Sequence, residues 1–191
     1  MNKRRLPVVI SAPSGTGKTT IISEILKQRS DLVFSVSATT RKPRPGEIDG
    51  IHYRFISREE FKRGIDEGRF AEWEEIHGEF YGTEALPLGR ALSQGKHVLL
   101  DLDVIGGERM KVVYPETVLI FLYPPSLEEL RRRLKNRGTE TEESLTRRLE
   151  RYPMEKEKGK KYPFQIMNDE IARTTEEVLR IINNNSINIE V

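Results

Sequence analysis

Residues 12 to 19 read Ala12-Pro13-Ser14-Gly15-Thr16-Gly17-Lys18-Thr19, a phosphate-binding loop that departs from Gly-x-x-x-x-Gly-Lys-[Ser/Thr] only at Ala12. Such a loop turns successive backbone N–H groups toward phosphate oxygens and adds the positive end of a helix dipole. Lys18 is placed to reach β- and γ-phosphates and the Thr19 hydroxyl to bind Mg²⁺, with Thr20 in the helix start behind them. Ala12 retains its N–H, so the cradle survives the lost glycine as long as the backbone there stays at negative φ. A second constellation runs from Ser37 to Tyr53. Arg41 and Arg44 stand three apart with Pro43 between them, and two guanidinium forks so spaced clamp one phosphate group. Tyr53 adds a hydroxyl donor. A basic turn of this kind is ordinarily a solvated one; beside a nucleotide loop it reads as a second phosphate site.

The elements that must position these groups alternate. Pro7 to Ile10 is a short apolar run before the loop, and Thr20 to Lys27 has helix character after it. Residues 96–101, 117–122 and, more weakly, 164–167 read as further buried strands. Helical patterns at 84–94, 126–136 and 169–183 separate them, with Ser126 as an N-cap ahead of Glu128 and Glu129. Apolar strands between amphipathic helices imply an α/β fold with a parallel sheet covered on both faces. Two stretches break the rhythm. Residues 37–83 suggest small antiparallel strands (51–55, 70–73) around one helix at 58–67. Residues 137–160 are almost wholly polar, begin a helix near Thr141–Ser144, and suggest a mobile lid. The Asn183-Asn184-Asn185 run reads as the frayed end of the last helix.

Composition narrows the field. The chain has 191 residues, no cysteine and a net charge of +2. Thiolate chemistry and disulfides are excluded, and a reducing, cytoplasmic setting is expected. No stretch approaches the length of a membrane span. His52, His77 and His97 have no ligand spacing and are expected at the surface or in packing. Residues 131–161 hold twelve Lys/Arg and six Asp/Glu, a basic segment that calls for an anion. The polyphosphate already implied by the loop is a simpler anion than nucleic acid.

The pattern from Thr39 to Phe55, Thr-Thr-Arg-x-x-Arg-x-Gly-Glu-x-x-Gly-x-x-Tyr-x-Phe, resembles guanylate kinase. So do Phe70-Ala71-Glu72-Trp73, Tyr81-Gly82-Thr83, Leu100-Asp101-Leu102-Asp103, Arg137-Gly138-Thr139-Glu140 and Ile166-Met167-Asn168-Asp169, all in order and spacing. The resemblance covers roughly residues 6 to 182 and implies a P-loop nucleoside triphosphate hydrolase-like fold. Its parts would be a core (1–36, 84–136, 161–191), a GMP-binding subdomain (37–83) and a lid (137–160). It implies ATP-dependent phosphorylation of GMP and dGMP with Mg²⁺, within purine nucleotide metabolism, and no nucleic-acid or membrane partner. Glu72 and Asp103 match ligands of the acceptor nucleotide. A carboxylate accepts both donors on the guanine edge, N1–H and the 2-amino group, which adenine does not offer. Ser37 and Thr83 would bond the O6 edge. Tyr81 and Tyr53 join Arg41 and Arg44 on the GMP phosphate. Lys18, Arg41, Arg137 and Arg148 would stabilise the transferring group, Asn168 would contact adenine, and Asp101 would stand near Mg²⁺ through water. Arg131, Arg132, Arg133, Arg147 and Arg151 are expected on solvated helix faces. Two other readings share these features: a kinase with a different acceptor, and a non-catalytic module that binds phosphorylated peptides. Tyr152-Pro153 and Gly159 interrupt a lid helix that is normally continuous. An interior proline costs about 3 kcal/mol, so a kink or break is expected near Arg151.

Overall fold

The computed structural model describes residues 5–76, 78–136 and 142–186. Its centre is a five-stranded sheet in the order β2-β7-β1-β8-β9, every pair parallel. The strands are β1 (Pro7–Ser11), β2 (Leu32–Phe34), β7 (His97–Asp101), β8 (Val118–Tyr123) and β9 (Phe164–Met167). β1 is buried along its whole length, and its side chains alternate between two cores. Val8 and Ile10 face α1 (Lys18–Gln28) and α7 (Ile171–Asn185), among Ile21, Ile25, Val178 and Ile182. Val9 faces the other layer, with Leu88 of α3 (Ala85–Ser93), Met110 of α4 (Val104–Val113) and Tyr162. Burial on both faces is why these strands read as continuous apolar runs rather than alternating ones.

The chain leaves β1 for β2 on one side and later enters β8 on the other. That reversal opens a crevice at the carboxyl ends of the central strands, where ligands of such sheets bind. The glycine loop follows β1 directly into this crevice. Asp101 lies beside it because β1 and β7 pair with Ile10 opposite Asp101.

A second sheet has the order β4-β3-β6-β5, from β3 (Ala38–Thr39), β4 (Arg54–Phe55), β5 (Phe70–Ile76) and β6 (Glu79–Glu84). α2 (Arg58–Asp66) covers it, capped by Ser57, whose hydroxyl accepts from the Glu60 N–H. Phe61 is fully buried and stacks on Phe70 and Phe80 at 4.3 and 5.2 Å. Gly82 admits this stack, since a Cβ there would lie 2.9 Å from Phe70.

Several elements differ from expectation. α4 carries no clear period and includes Gly106-Gly107, which cost a helix about 1 kcal/mol each relative to alanine. Tertiary contacts require both glycines: a Cβ on Gly107 would sit 2.0 Å from the Tyr162 hydroxyl and one on Gly106 3.1 Å from Glu72 Oε2. β2 and β6 were too short or too polar to stand out. The asparagine run stays helical through Asn185, whose amide donates to the Ile181 carbonyl. The start of the lid helix near Thr141 falls partly outside the described residues. α5 (Leu127–Lys135) and α6 (Glu142–Gly159) pack together through Leu130, Leu134, Leu145, Leu149 and Tyr152.

α6 runs unbroken through Pro153, which corrects the expected break near Arg151. Both sides of the proline are tied to the core. Before it, Arg151 pairs with Asp103; after it, Lys158 pairs with Glu108 and Gly159 is buried against Phe121. The lost backbone bond is outweighed by this docking.

Candidate functional site

The loop adopts its shape because Gly15 and Gly17 take φ of 91° and 101°, values that a side chain resists. Each also lies against a wall: a Cβ on Gly15 would meet Leu134 at 2.7 Å and one on Gly17 the Asn168 amide at 2.8 Å. The methyl of Ala12 packs on the apolar cluster under the loop. The Thr16 N–H closes a turn onto the Pro13 carbonyl at 3.1 Å. The Thr16 carbonyl in turn accepts from Arg133 at 2.9 Å and from the Asn168 amide at 2.7 Å. Arg133 also donates to the Asn168 carbonyl at 3.0 Å. It is therefore a buttress of the loop and not the solvated side chain expected. Its signal in the sequence is only its distance of one helical turn from Glu129, which it also grips.

Lys18 and Asp101 form an ion pair across the crevice, and Arg148 of α6 bonds the Ser14 hydroxyl. The lid helix thus already touches the loop. Thr19 lines the crevice, whereas Thr20 is exposed and outside it. Thr16 is fully buried behind it. Asn168 is also behind the loop, 5% exposed, with its side chain committed to Thr16. Arg137 lies outside the described residues.

The opposite wall comes from the second sheet. Glu47, absent from the expected site, accepts two bonds from the Arg41 guanidinium at 2.8 and 2.9 Å and one from the Arg44 N–H at 2.7 Å. Arg41 also lies over the rings of Tyr53 and Phe55, at 5.3 and 5.8 Å. The guanidinium also donates to the Lys42 carbonyl at 2.7 Å, and Arg41 and Arg44 both line the cavity. The Arg41 hydrogen bond pulls the Glu47 carboxyl below the usual range. Tyr53 packs edge-on against Tyr81 with ring centres 6.1 Å apart. Burial, then the nearby Asp101 charge, pushes the Tyr53 hydroxyl up to about 12, so it serves as a donor.

β5 inverts the usual pattern. Glu72 and Glu74 point inward, 6% and 8% exposed, while Trp73 points out at 38%. Alternation along the strand enforces this once Trp73 packs on Phe80. Thr83, opposite on β6, donates to Glu72 Oε1 at 2.7 Å. Burial raises the Glu72 carboxyl to about 7, only partly offset by Thr83. Beside it, Asp103 caps α4 by accepting from the Ile105 and Gly106 N–H groups. Burial opposes its ionisation, but the Glu74 hydrogen bond, these two N–H groups and Arg151 outweigh burial and hold Asp103 low. Burial, together with that same hydrogen bond, lifts Glu74 instead, to about 8.

One cavity of about 500 Å³ is lined at once by the loop, by the Arg41, Arg44, Tyr53 and Tyr81 cluster, and by Ser37, Glu72 and Asp103. Arg151 and Glu155 of α6 close one side, and the Glu155 carboxyl is raised by burial. Arg151 donates to Asp103 at 3.0 Å, again unlike the solvated arginine expected. Arg147 does lie exposed on the rim. Among the described residues no cluster of three His, Cys, Asp or Glu side chains forms a metal cage. Thr19 and Asp101 supply hard oxygen donors on the same cavity, a set that suits Mg²⁺ shared with phosphates. Among those residues, too, no helix is long and apolar enough to cross a membrane.

A family model described as guanylate kinase matches residues 4–185. The guanylate kinase of Caldanaerobacter subterraneus subsp. tengcongensis is 43% identical over 182 residues, 95% of this chain and 88% of the relative. That of Clostridioides difficile is 44% identical over 180 residues, 94% of this chain and 88% of the relative. The crystal structure of guanylate kinase from Anaplasma phagocytophilum superimposes with a TM-score of 0.82 at 30% identity, covering 99% of this chain and 89% of that one. With the glycine loop and the second sheet facing one cavity, these likenesses over nearly the whole length place the chain in the guanylate kinase family.

Proposed function

We propose that the chain transfers the γ-phosphoryl group of ATP to GMP, and to dGMP, giving ADP and the nucleoside diphosphate. The observation that carries this reading is the single cavity shared by a triphosphate loop and a second phosphate clamp beside buried carboxylates. Phosphoryl transfer needs little covalent help from a protein; it needs in-line placement and positive charge around the moving group. The N–H groups of the loop and the start of α1 hold the donor phosphates. Lys18 exchanges Asp101 for the β- and γ-phosphates, and Arg148 and Arg137 bring lid charge to the same group. Arg41, Arg44, Tyr53 and Tyr81 fix the acceptor phosphate. Ionised Glu72 accepts N1–H and one 2-amino hydrogen of guanine, Asp103 accepts the other, and Ser37 supplies a hydroxyl near O6. Thr83, fully buried and outside the cavity lining, gives its one hydroxyl hydrogen to Glu72 and holds that carboxylate in place in lieu of the O6 contact expected of it. Asn168 lies beside the adenine site and supports the loop. Thr19 and Asp101 would hold Mg²⁺, which when bound offsets the charge of the β- and γ-phosphates. Residues 137–160 act as the lid and 37–83 as the acceptor subdomain, and their closure excludes water that competes with GMP. The cysteine-free composition suits an enzyme of cytoplasmic purine nucleotide metabolism.

A coupled ADP-release assay across the nucleoside monophosphates tests this directly. GMP and dGMP should be turned over, and AMP, CMP and UMP far more slowly. Equal turnover of AMP would sink the role given to Glu72.

A further inference from the structure

The Asp103 carboxylate is already fully engaged. Its Oδ1 accepts from the Ile105 and Gly106 N–H groups at 2.9 and 2.8 Å. Its Oδ2 accepts from Arg151 Nη2 at 3.0 Å, and the buried Glu74 carboxyl hydrogen-bonds the same group. A carboxylate has about four lone-pair sites, so the set is filled. The acceptor reading above asks Asp103 for one more bond, to the 2-amino group of guanine.

Of the four donors, three are fixed. Two are backbone groups of the first turn of α4 and leave only if that turn unwinds. Glu74 is 8% exposed in the continuously paired stretch of β5 from Glu72 to Ile76. Arg151 is different. Its side chain is 25% exposed, and its Nε is buried without a hydrogen-bond partner. Glu155 Oε1 lies 3.5 Å from that Nε on the same helix, an alternative partner within reach.

We propose that Arg151 is a specificity-determining residue that competes with the guanine 2-amino group for Asp103 Oδ2. The inference rests on the reading of Asp103 as an acceptor-base ligand. Binding of guanine displaces Arg151 toward Glu155, so α6 senses which base occupies the pocket. A purine without a 2-amino group leaves the Arg151–Asp103 pair in place.

The test uses the full chain with Arg151→Met, which keeps the apolar stem and removes the charge, and measures binding of GMP and of inosine monophosphate, which lacks the 2-amino group. GMP should bind the variant about threefold to fivefold more tightly, the range for a part-exposed ion pair. Inosine monophosphate should bind both proteins alike. In an Asp103→Asn background the same change should leave GMP binding unaltered. Weaker GMP binding by Arg151→Met, or an equal shift for both nucleotides, would overturn the inference, because either marks Arg151 as a support and not a competitor. A wild-type chain that does not prefer GMP to AMP would instead defeat the acceptor reading, and that is measured before any variant is made.

Discussion

Glu72 joins a proposed role in base recognition to a stability cost, and Glu72→Gln separates the two. In the fold its carboxyl rises from 4.5 to about 7, because burial beside Asp103 outweighs the Thr83 hydrogen bond. That rise corresponds to about 3 kcal/mol of penalty once the group is ionised. The sign follows from the order of titration. Below about pH 4.5 the group is protonated in both folded and unfolded chains and costs nothing. Between 4.5 and 7 the unfolded chain loses its proton first and stability falls; above about 7 the whole penalty is present. Glutamine carries no such charge and keeps an acceptor for Thr83. Urea unfolding at pH 8 should therefore show Glu72→Gln more stable by about 2 kcal/mol after the cost of its own partly unpaired amide, with under about 1 kcal/mol of difference at pH 5. Activity should move the other way. The amide presents a donor where guanine also presents donors, so kcat/KM for GMP should fall about 100-fold while that for AMP does not fall. In the wild type, KM for GMP should rise as pH drops below about 7, and this limb should vanish in the variant. A variant with unchanged GMP selectivity, or one destabilised equally at both pH values, would refute the reasoning.

Glu47→Ala frees the Arg41 guanidinium and the Arg44 N–H; KM for GMP should rise about tenfold, with KM for ATP within twofold, in steady-state assays. Gly17→Ala forces a side chain to φ of 101° against the Asn168 amide; ATP affinity by calorimetry should drop at least tenfold, from about 1–3 kcal/mol of strain. Pro153→Ala restores a donor inside α6; the chain should gain about 1–2 kcal/mol, seen as a thermal midpoint several degrees higher, with kcat unchanged within twofold.

The loop was legible because its chemistry is local. Gly15, Gly17, Lys18 and Thr19 act within one turn of chain, and the apolar runs beside them announce strand and helix. Arg41 and Arg44 were legible for the same reason. α4 was not, since its two glycines argue against a helix until Tyr162 and Glu72, far away in sequence, are seen to need the space. Pro153 misled in the opposite sense: the local rule for proline holds, but the ion pairs and packing on either side of it outweigh one lost bond.

What the amino-acid order determined alone is the set of candidate reacting groups and the alternation that builds the sheet, because both depend on neighbours within a few residues. What only the tertiary structure decided is the state of those groups. Glu72, Glu74 and Asp103 are three acids of similar intrinsic strength, and the chain does not distinguish them. Burial lifts the Glu72 and Glu74 carboxyls on β5 to about 7 and about 8, whereas the Glu74 hydrogen bond, two N–H groups at the start of α4 and one arginine from α6 hold Asp103 below the usual range. These differences arise from desolvation and from charges that only folding brings together.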